Sequence, residues 1–324
     1  MAFSALATGT ALLWLALGCS RDASYDRSLD RLAAELERRP ANRALAVRVE
    51  AAVLPFERDP ESANRALRAE IERAGLAVVR VPGLLYETYP ETGADLAGVD
   101  RWLGGGTAFV ATPERATVEE GAAHLARALR EELPADRRAL LVSASKGSAD
   151  VRAALEGEPD LAVRSAAWID LVGVLEGTPL SDPGMPSRGA VLELLPEATA
   201  DSLSRRVQRE RVASAHFPSA TRAYHVAAFP RVAEVGQRAR AAFAVLRLLG
   251  PNDGYVLLDA YARAPGPVLV VRGADHYLRL EGVLPRLSAL LRVALEDAAG
   301  DAPVGEPAGG RSAPGAGRAP YSVR

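Results

Sequence analysis

The feature that most constrains the fold is an alternation of short apolar runs with longer amphipathic runs along most of the chain. The short runs have the length and the branched side chains of β-strands, and the longer runs carry apolar residues at helical spacing. Strands that alternate with helices pair in parallel, because each helix returns the chain across the sheet. The sequence therefore predicts an α/β fold, a mostly parallel sheet with helices on both faces. We predict its strands at 45–54, 76–81, 107–111, 139–142, 162–169, 224–229 and 267–271.

The amphipathic runs and the turn residues give the domain organisation. Residues 1–19 have the character of a leader, and 20–44 form a linker and a helix. The α/β domain is expected over 45–299, with a lid-like insertion at about 171–222, where Pro and Gly interrupt the alternation. Residues 300–324 lack any periodicity and are expected to be disordered. Helices are predicted at 61–74, 95–103, 117–132, 200–213, 232–249 and 283–299, and from residue 147.

Composition excludes several classes of function. A formal net charge of −2 argues against a nucleic-acid partner, which requires a clustered basic excess. The single cysteine, Cys19, rules out an intrachain disulfide and a cysteine-based metal site.

The position of Cys19 is informative. It ends an uncharged apolar stretch, 2–18, and follows small residues, which resembles the lipobox of bacterial lipoproteins. In that family the cysteine is lipidated and becomes the new N-terminus. Ser20 stands where an aspartate would signal retention at the inner membrane, so the resemblance implies an exported protein anchored at the outer membrane. The alternative is a plain secretory signal or signal anchor, with a periplasmic or secreted protein.

The stretch VSASKGSAD follows the predicted strand 139–142 and opens a helix. A strand, a sharp turn and a helix form a nucleophile elbow when the residues two before and two after the nucleophile are small. Among the three serines only Ser145 meets this rule, with Ser143 and Gly147 as its flanks. Ser143 departs from the usual glycine. A serine-rich helix cap is the alternative for this stretch, and the spacing of a phosphate-binding loop is absent.

A serine hydroxyl needs a base, commonly a histidine held by a carboxylate. His276 follows a predicted strand near the end of the domain, as the order serine, acid, histidine requires. Asp253 lies in the turn sequence GPNDG before it, while Asp259 and Asp275 are rival acids. Asp275 is adjacent to His276 and is expected to face away from its ring.

The segments VSASKG, PNDG and PGPVLVVRGADH, in this order, resemble the elbow, acid and histidine segments of α/β-hydrolase-fold esterases and lipases. The resemblance covers roughly residues 76–285. It implies Ser145 as nucleophile, His276 as general acid and base, and Asp253 as the group that orients His276. The oxyanion hole would use the backbone N–H of Lys146 and a second N–H from the loop after the strand 76–81. Pro82 has no N–H, so the second donor is Gly83 or Leu84, with Leu84 slightly favoured.

The sequence thus predicts an exported or envelope-anchored serine hydrolase that cleaves a small-molecule or lipid ester through an acyl-enzyme, with no metal or organic cofactor. Amide or thioester cleavage on the same residues stays open. The alternative function is a catalytically silent protein of this fold that binds a lipid or an envelope partner, since Ser143 could strain the elbow.

Overall fold

The computed structural model describes residues 18–86, 96, 100–103, 105–279 and 282–300. Within them, six strands form one sheet in the order β2-β1-β3-β4-β5-β6, and every neighbouring pair is parallel. The strands are β1 (Leu76–Val81), β2 (Ala108–Phe109), β3 (Arg138–Ala144), β4 (Ser165–Leu171), β5 (Arg222–Phe229) and β6 (Val268–Arg272).

Helices cover both faces of the sheet, as the sequence predicts. One apolar core lies under α2, α3 and α11, and the other lies under α1, α4, α5 and α10. The helices are α1 (Gly18–Arg38), α2 (Pro40–Arg58), α3 (Pro60–Arg73), α4 (Val118–Glu132), α5 (Lys146–Gly157), α6 (Pro159–Arg164), α7 (Arg188–Leu194), α8 (Glu197–Ser202), α9 (Arg205–Ser214), α10 (Arg240–Leu246) and α11 (Val283–Gly300).

The central strand β3 shows why its sequence is almost continuously apolar. Leu140 and Val142 point into the core under α2, α3 and α11, whereas Ala139 and Leu141 point into the opposite core. A parallel strand covered on both faces needs apolar residues at successive positions, not at alternate ones. This strand carries the VSASKGSAD stretch to the carboxyl edge of the sheet.

The predicted strand at 45–54 is wrong, because these residues lie inside α2. Leu45, Val49, Val53 and Phe56 are all buried, and their spacing of three and four is that of one helical face. Pro40 occupies the first turn of α2, where its missing N–H costs nothing. The branched apolar residues had favoured a strand, but the helical spacing decides the structure.

Three other boundaries differ from the prediction. The first residues of the predicted strand 162–169 belong to α6, and β4 begins at Ser165. The predicted helix 200–213 divides into α8 and α9, because Ser204 caps a new helix by accepting from the Val207 N–H. The predicted helix 232–249 is a 3₁₀ turn followed by α10.

The remaining predictions fall partly outside the described residues. These are most of the leader, the tail beyond residue 300 and part of the helix predicted at 95–103. In the described part of the chain, no helix has both the length and the apolar character needed to span a membrane. The backbone of Gly18 and Cys19 begins α1. Between β4 and β5, α7 to α9 occupy the region predicted as an insertion.

Candidate active site

Ser145 lies at the turn between β3 and α5 with φ 52° and ψ −122°. A non-glycine residue with positive φ is strained and persists only where its surroundings fix it. Hydrogen bonds fix both sides of Ser145. Its N–H donates to the Leu171 carbonyl at 3.1 Å, and its carbonyl accepts from the N–H groups of Ser148 and Val174, each at 3.1 Å. The end of β4 and Val174, which follows it, therefore hold the turn at Ser145 in place.

Close backbone contacts explain why the residues around Ser145 are small. A Cβ added to Gly147 would lie 2.3 Å from the Pro82 carbonyl oxygen, so only glycine fits beside the end of β1. A Cβ added to Gly83 would lie 3.0 Å from the Ser145 Cβ and 3.6 Å from its Oγ. The loop after β1 thus passes directly against the hydroxyl of Ser145.

Ser143, the residue that departs from the usual glycine, is fully buried and fully hydrogen-bonded. Its Oγ accepts from the Trp168 indole N–H at 2.7 Å and shares a hydrogen bond of 2.9 Å with the Ser148 hydroxyl. Ser143 is not among the residues with positive φ. Its hydroxyl therefore fits into the layer below the elbow instead of straining the turn.

His276 connects Ser145 to Asp253. Its Nε2 lies 2.9 Å from the Ser145 Oγ, and its Nδ1 lies 2.8 Å from Asp253 Oδ2. The acidic residue is completely buried, and its other oxygen, Oδ1, accepts from the N–H groups of Tyr255 and Val256 at 2.9 Å each. The backbone N–H of His276 also donates to the backbone carbonyl of Asp253 at 2.9 Å. A carboxylate on Nδ1 favours the tautomer whose Nε2 accepts the serine proton.

The rival acids lie elsewhere. Asp275 accepts from the N–H groups of Gly236 and Tyr277 at 2.8 and 3.0 Å, facing away from the ring as expected. Asp259 pairs with Arg263 at 3.4 Å. Of the three candidate acids, the structure brings Asp253 to His276.

Two tyrosines pack around His276. The Tyr255 ring lies 4.9 Å from the imidazole, and its hydroxyl lies 3.0 Å from that of Tyr277. Burial raises the pKa of Tyr255 well above its ordinary value, so this phenol stays neutral beside the imidazole. No sequence signal marked this contact.

Two of the candidate oxyanion donors adjoin Ser145, Lys146 as the next residue in the chain and Gly83 by close approach. Gly83 contacts it directly, whereas Leu84 packs in an apolar cluster with Val174 and Val256. The Lys146 ammonium is buried and lies 2.8 and 2.9 Å from the two oxygens of Asp150, one turn further along α5. Burial raises the pKa of Asp150, and the paired ammonium opposes that rise.

A second buried histidine pair lies beside the first. His225 Nδ1 is 2.9 Å from Asp170 Oδ2, and both side chains are completely buried. The acidic partner of His225 is far from it in the sequence. The two residues stand on neighbouring strands, where the register sets Asp170 opposite both His225 and Ser143.

The parallel six-stranded sheet with helices on both faces and a serine at the turn after β3 is the α/β-hydrolase fold. A carboxyl esterase from a metagenome has a similar structure, with 28% sequence identity and a TM-score of 0.57 over 69% of this chain and 76% of that chain. The mature form of a lipase from Bacillus licheniformis is also similar, with 25% identity and a TM-score of 0.53 over 64% of this chain and 88% of that chain. No protein-family model matches this sequence, and neither does any curated protein. The structural likenesses support an ester-hydrolysing enzyme.

Proposed function

We propose that this protein is a serine hydrolase that cleaves carboxylic esters through an acyl-enzyme on Ser145. The observation that carries the proposal is the continuous hydrogen-bonded path from the Ser145 Oγ through the two nitrogens of His276 to Asp253, at 2.9 and 2.8 Å. Two esterolytic structures of the same fold support the choice of ester chemistry.

The first half-reaction forms the acyl-enzyme. The Ser145 Oγ attacks the ester carbonyl carbon while His276 Nε2 takes the hydroxyl proton, and a tetrahedral oxyanion forms. The backbone N–H of Lys146 and an N–H of the loop at Gly83 and Leu84 stabilise that oxyanion. The imidazolium then gives its proton to the departing alcohol oxygen as the bond between that oxygen and the acyl carbon breaks.

The second half-reaction releases the acid. Water loses a proton to His276 Nε2 and attacks the acyl carbon, and the imidazolium returns that proton to the Ser145 Oγ as the acyl bond breaks. Asp253 holds the imidazole in its required orientation through Oδ2, while two backbone N–H groups donate to its Oδ1 and fix the carboxylate.

An apolar cluster beside these residues favours an aliphatic acyl group. The cluster contains residues close in sequence to the proposed catalytic groups, such as Ala149 and Val256, and residues of the insertion, such as Leu194. It therefore borders the proposed reaction centre on the side of α7. Its members are Leu84, Leu85, Val118, Ala149, Ala153, Val174, Val191, Leu194, Leu195, Leu203 and Val256.

We further propose that the protein is exported and held at the cell envelope through a lipid on Cys19. The uncharged apolar stretch that ends at this cysteine supports the proposal. Mass spectrometry of the N-terminal peptide from producing bacteria tests it. A diacylglyceryl thioether on Cys19 is expected, and an unmodified cysteine overturns it.

The enzymatic proposal is tested with p-nitrophenyl esters of increasing chain length and with a fluorophosphonate probe. The natural protein is expected to hydrolyse the esters and to be labelled, whereas Ser145→Ala abolishes both. Ser148→Ala is the matched control from the same turn and keeps the label. A protein that neither hydrolyses any ester nor reacts with the probe would instead be a silent member of this fold.

A further inference from the structure

Two large apolar side chains face solvent directly after α10. Leu248 is 76% exposed and Leu249 is 46% exposed, although Leu246 just before them is fully buried. Leu192 on α7 is 39% exposed, and its neighbour Val191 packs in the same small cluster as Leu246. We call Leu192, Leu248 and Leu249 the apolar edge. Adjacent exposed leucines on a folded surface are typical of a contact with an apolar partner.

The first helix begins beside this edge. The Arg247 guanidinium, adjacent to Leu248, lies 2.7 Å from the Asp22 carboxylate of α1. Tyr25, also on α1, packs edge-on against Phe243 of α10, with ring centroids 5.2 Å apart. Cys19 stands three residues before Asp22 in the same helix, about 5 Å along its axis. The uncharged apolar residues 2–18 lead directly into this point.

The same end of the molecule holds the proposed reaction centre. The Tyr25 hydroxyl donates to the Asn252 carbonyl at 3.1 Å and accepts from the Asn252 N–H at 3.0 Å. Asn252 precedes Asp253, the acid that contacts His276. The start of α1, the apolar edge and the loop that carries Asn252 and Asp253 (the acid loop) are therefore neighbours.

We propose that the apolar edge rests on a lipid bilayer, so that the protein works on esters of lipids in the membrane that holds its N-terminus. An anchor at Cys19, or the apolar leader itself, would keep the start of α1 at the membrane surface, and Leu248 and Leu249 directly follow Arg247, which contacts that helix at Asp22. The substrate class rests on the proposed ester hydrolysis, whereas the orientation rests on the proposed attachment of the N-terminus to the membrane and not on catalysis.

The orientation is tested with an environment-sensitive fluorophore attached to Leu248→Cys of the full chain, reconstituted in vesicles that contain brominated lipids. Val163→Cys is the matched control, because Val163 is 62% exposed but lies on α6, at the amino edge of the sheet. We expect about threefold stronger quenching at position 248 than at 163, because interfacial side chains enter the headgroup region. The natural chain, labelled only at Cys19 if that thiol is free, gives the background, and Leu249→Cys replaces Leu248→Cys if the latter does not fold.

Equal quenching at the two positions overturns the proposal. It is also overturned if the label at 248 is shielded before vesicles are added, because the leader or a second copy of the chain then covers the edge. Shielding by a second copy depends on protein concentration, and shielding by the leader does not.

The substrate class is tested with the double variant Leu248→Ser/Leu249→Ser. We expect it to hydrolyse a diacylglycerol in vesicles about tenfold more slowly than the natural protein, because buried leucine surface is lost at the interface. Its rate on a soluble ester should be unchanged, and Val163→Ser should change neither rate. An unchanged vesicle rate excludes a role of Leu248 and Leu249 in reaching the lipid, and a natural protein that hydrolyses the soluble ester but not the diacylglycerol excludes the lipid substrate. A natural protein that hydrolyses neither ester contradicts the proposed function, while the quenching measurement still decides the orientation.

Discussion

Two buried aspartate–histidine pairs differ in what faces the second ring nitrogen. His276 follows the end of β6, whereas His225 lies inside β5, opposite the first residue of β6. In both, an aspartate Oδ2 contacts the histidine Nδ1, at 2.8 Å for Asp253 and His276 and at 2.9 Å for Asp170 and His225. The Nε2 of His276 faces the Ser145 hydroxyl at 2.9 Å, whereas that of His225 faces the Pro265 carbonyl at 3.1 Å.

The group that faces Nε2 decides whether the histidine can act as a base, as proposed for His276, or only as a structural contact, as at His225. A hydroxyl can donate, so His276 can offer the lone pair of Nε2 and take a proton. A carbonyl only accepts, so the Nε2 of His225 donates to Pro265 and offers no lone pair there. The contact of His225 with Asp170 joins β5 to β4. The same two residue types therefore serve reaction or structure according to the third group.

The largest expected effect separates the two histidines. His276→Ala should lower kcat by about 10⁴-fold in the folded protein, because the base of the proposed reaction is lost. His225→Gln should keep kcat within about tenfold of the natural value, because no proton passes through it. Ester hydrolysis and thermal melting of both variants measure this. Comparable losses of kcat in two folded variants would end the distinction.

The next effect concerns the acid of the reactive pair. Asp253→Asn should lower kcat by about 10³-fold or more, because the amide favours the wrong imidazole tautomer while keeping the shape. Fluorophosphonate labelling of Ser145 should slow in parallel. Asp259→Asn serves as the control, and activity retained by Asp253→Asn would assign the acid elsewhere.

The structural pair should appear in stability. Asp170→Asn is expected to cost about 3 kcal/mol in the free energy of unfolding, since it breaks a fully buried pair. Replacing both partners with apolar residues, as in Asp170→Leu/His225→Phe, should recover much of this loss. Denaturant unfolding measures both. A double variant that is folded and stable but inactive would give this pair a part in the reaction.

A smaller effect is expected at Gly83, whose backbone approaches Ser145. The Ser145 hydroxyl faces His276 and has no counterpart beside His225. Gly83→Ala should reduce kcat/KM by about tenfold, because its methyl would press on the Ser145 Cβ and displace the hydroxyl from His276. Gly157→Ala, at the far end of α5, has nothing within 4 Å of the added methyl and is the control. Steady-state kinetics of the two variants decide whether the crowding matters.

The smallest effect concerns the tyrosine that packs on the reactive imidazole. Because the pKa of Tyr255 is raised above its ordinary value, the phenol should not ionise up to about pH 10. Tyr255→Phe should therefore follow the natural rate profile between about pH 7 and pH 10. An alkaline fall in rate that disappears in Tyr255→Phe would contradict this.

Much of the fold follows from local pattern. The strand at 76–81 and the capped helix 117–132 were predicted closely, because their apolar spacing and the capping residue Thr117 act within one element. The strand predicted at 45–54 was wrong. Its branched apolar residues favoured a strand, whereas packing of the face formed by Leu45, Val49 and Val53 stabilises a helix.

The proposed site divides in the same way. Ser145 could be selected from its neighbours, since the size limit of the elbow acts within a few residues. The His225 partner could not, because Asp170 is 55 positions away and meets it only through strand register. The Asp150 partner of Lys146 is a helical neighbour, and the i, i+4 spacing could have revealed it.

The contact between Tyr25 and Asn252 also bears on the order in which the chain can fold. The two residues are separated by 227 positions, and Arg272 of β6 meets Glu37 of α1 across 235. Helix α1 can therefore make these contacts only after the segments around Asn252 and Arg272 have been synthesised, so the hydrogen bonds between Tyr25 and the loop of Asp253 form late.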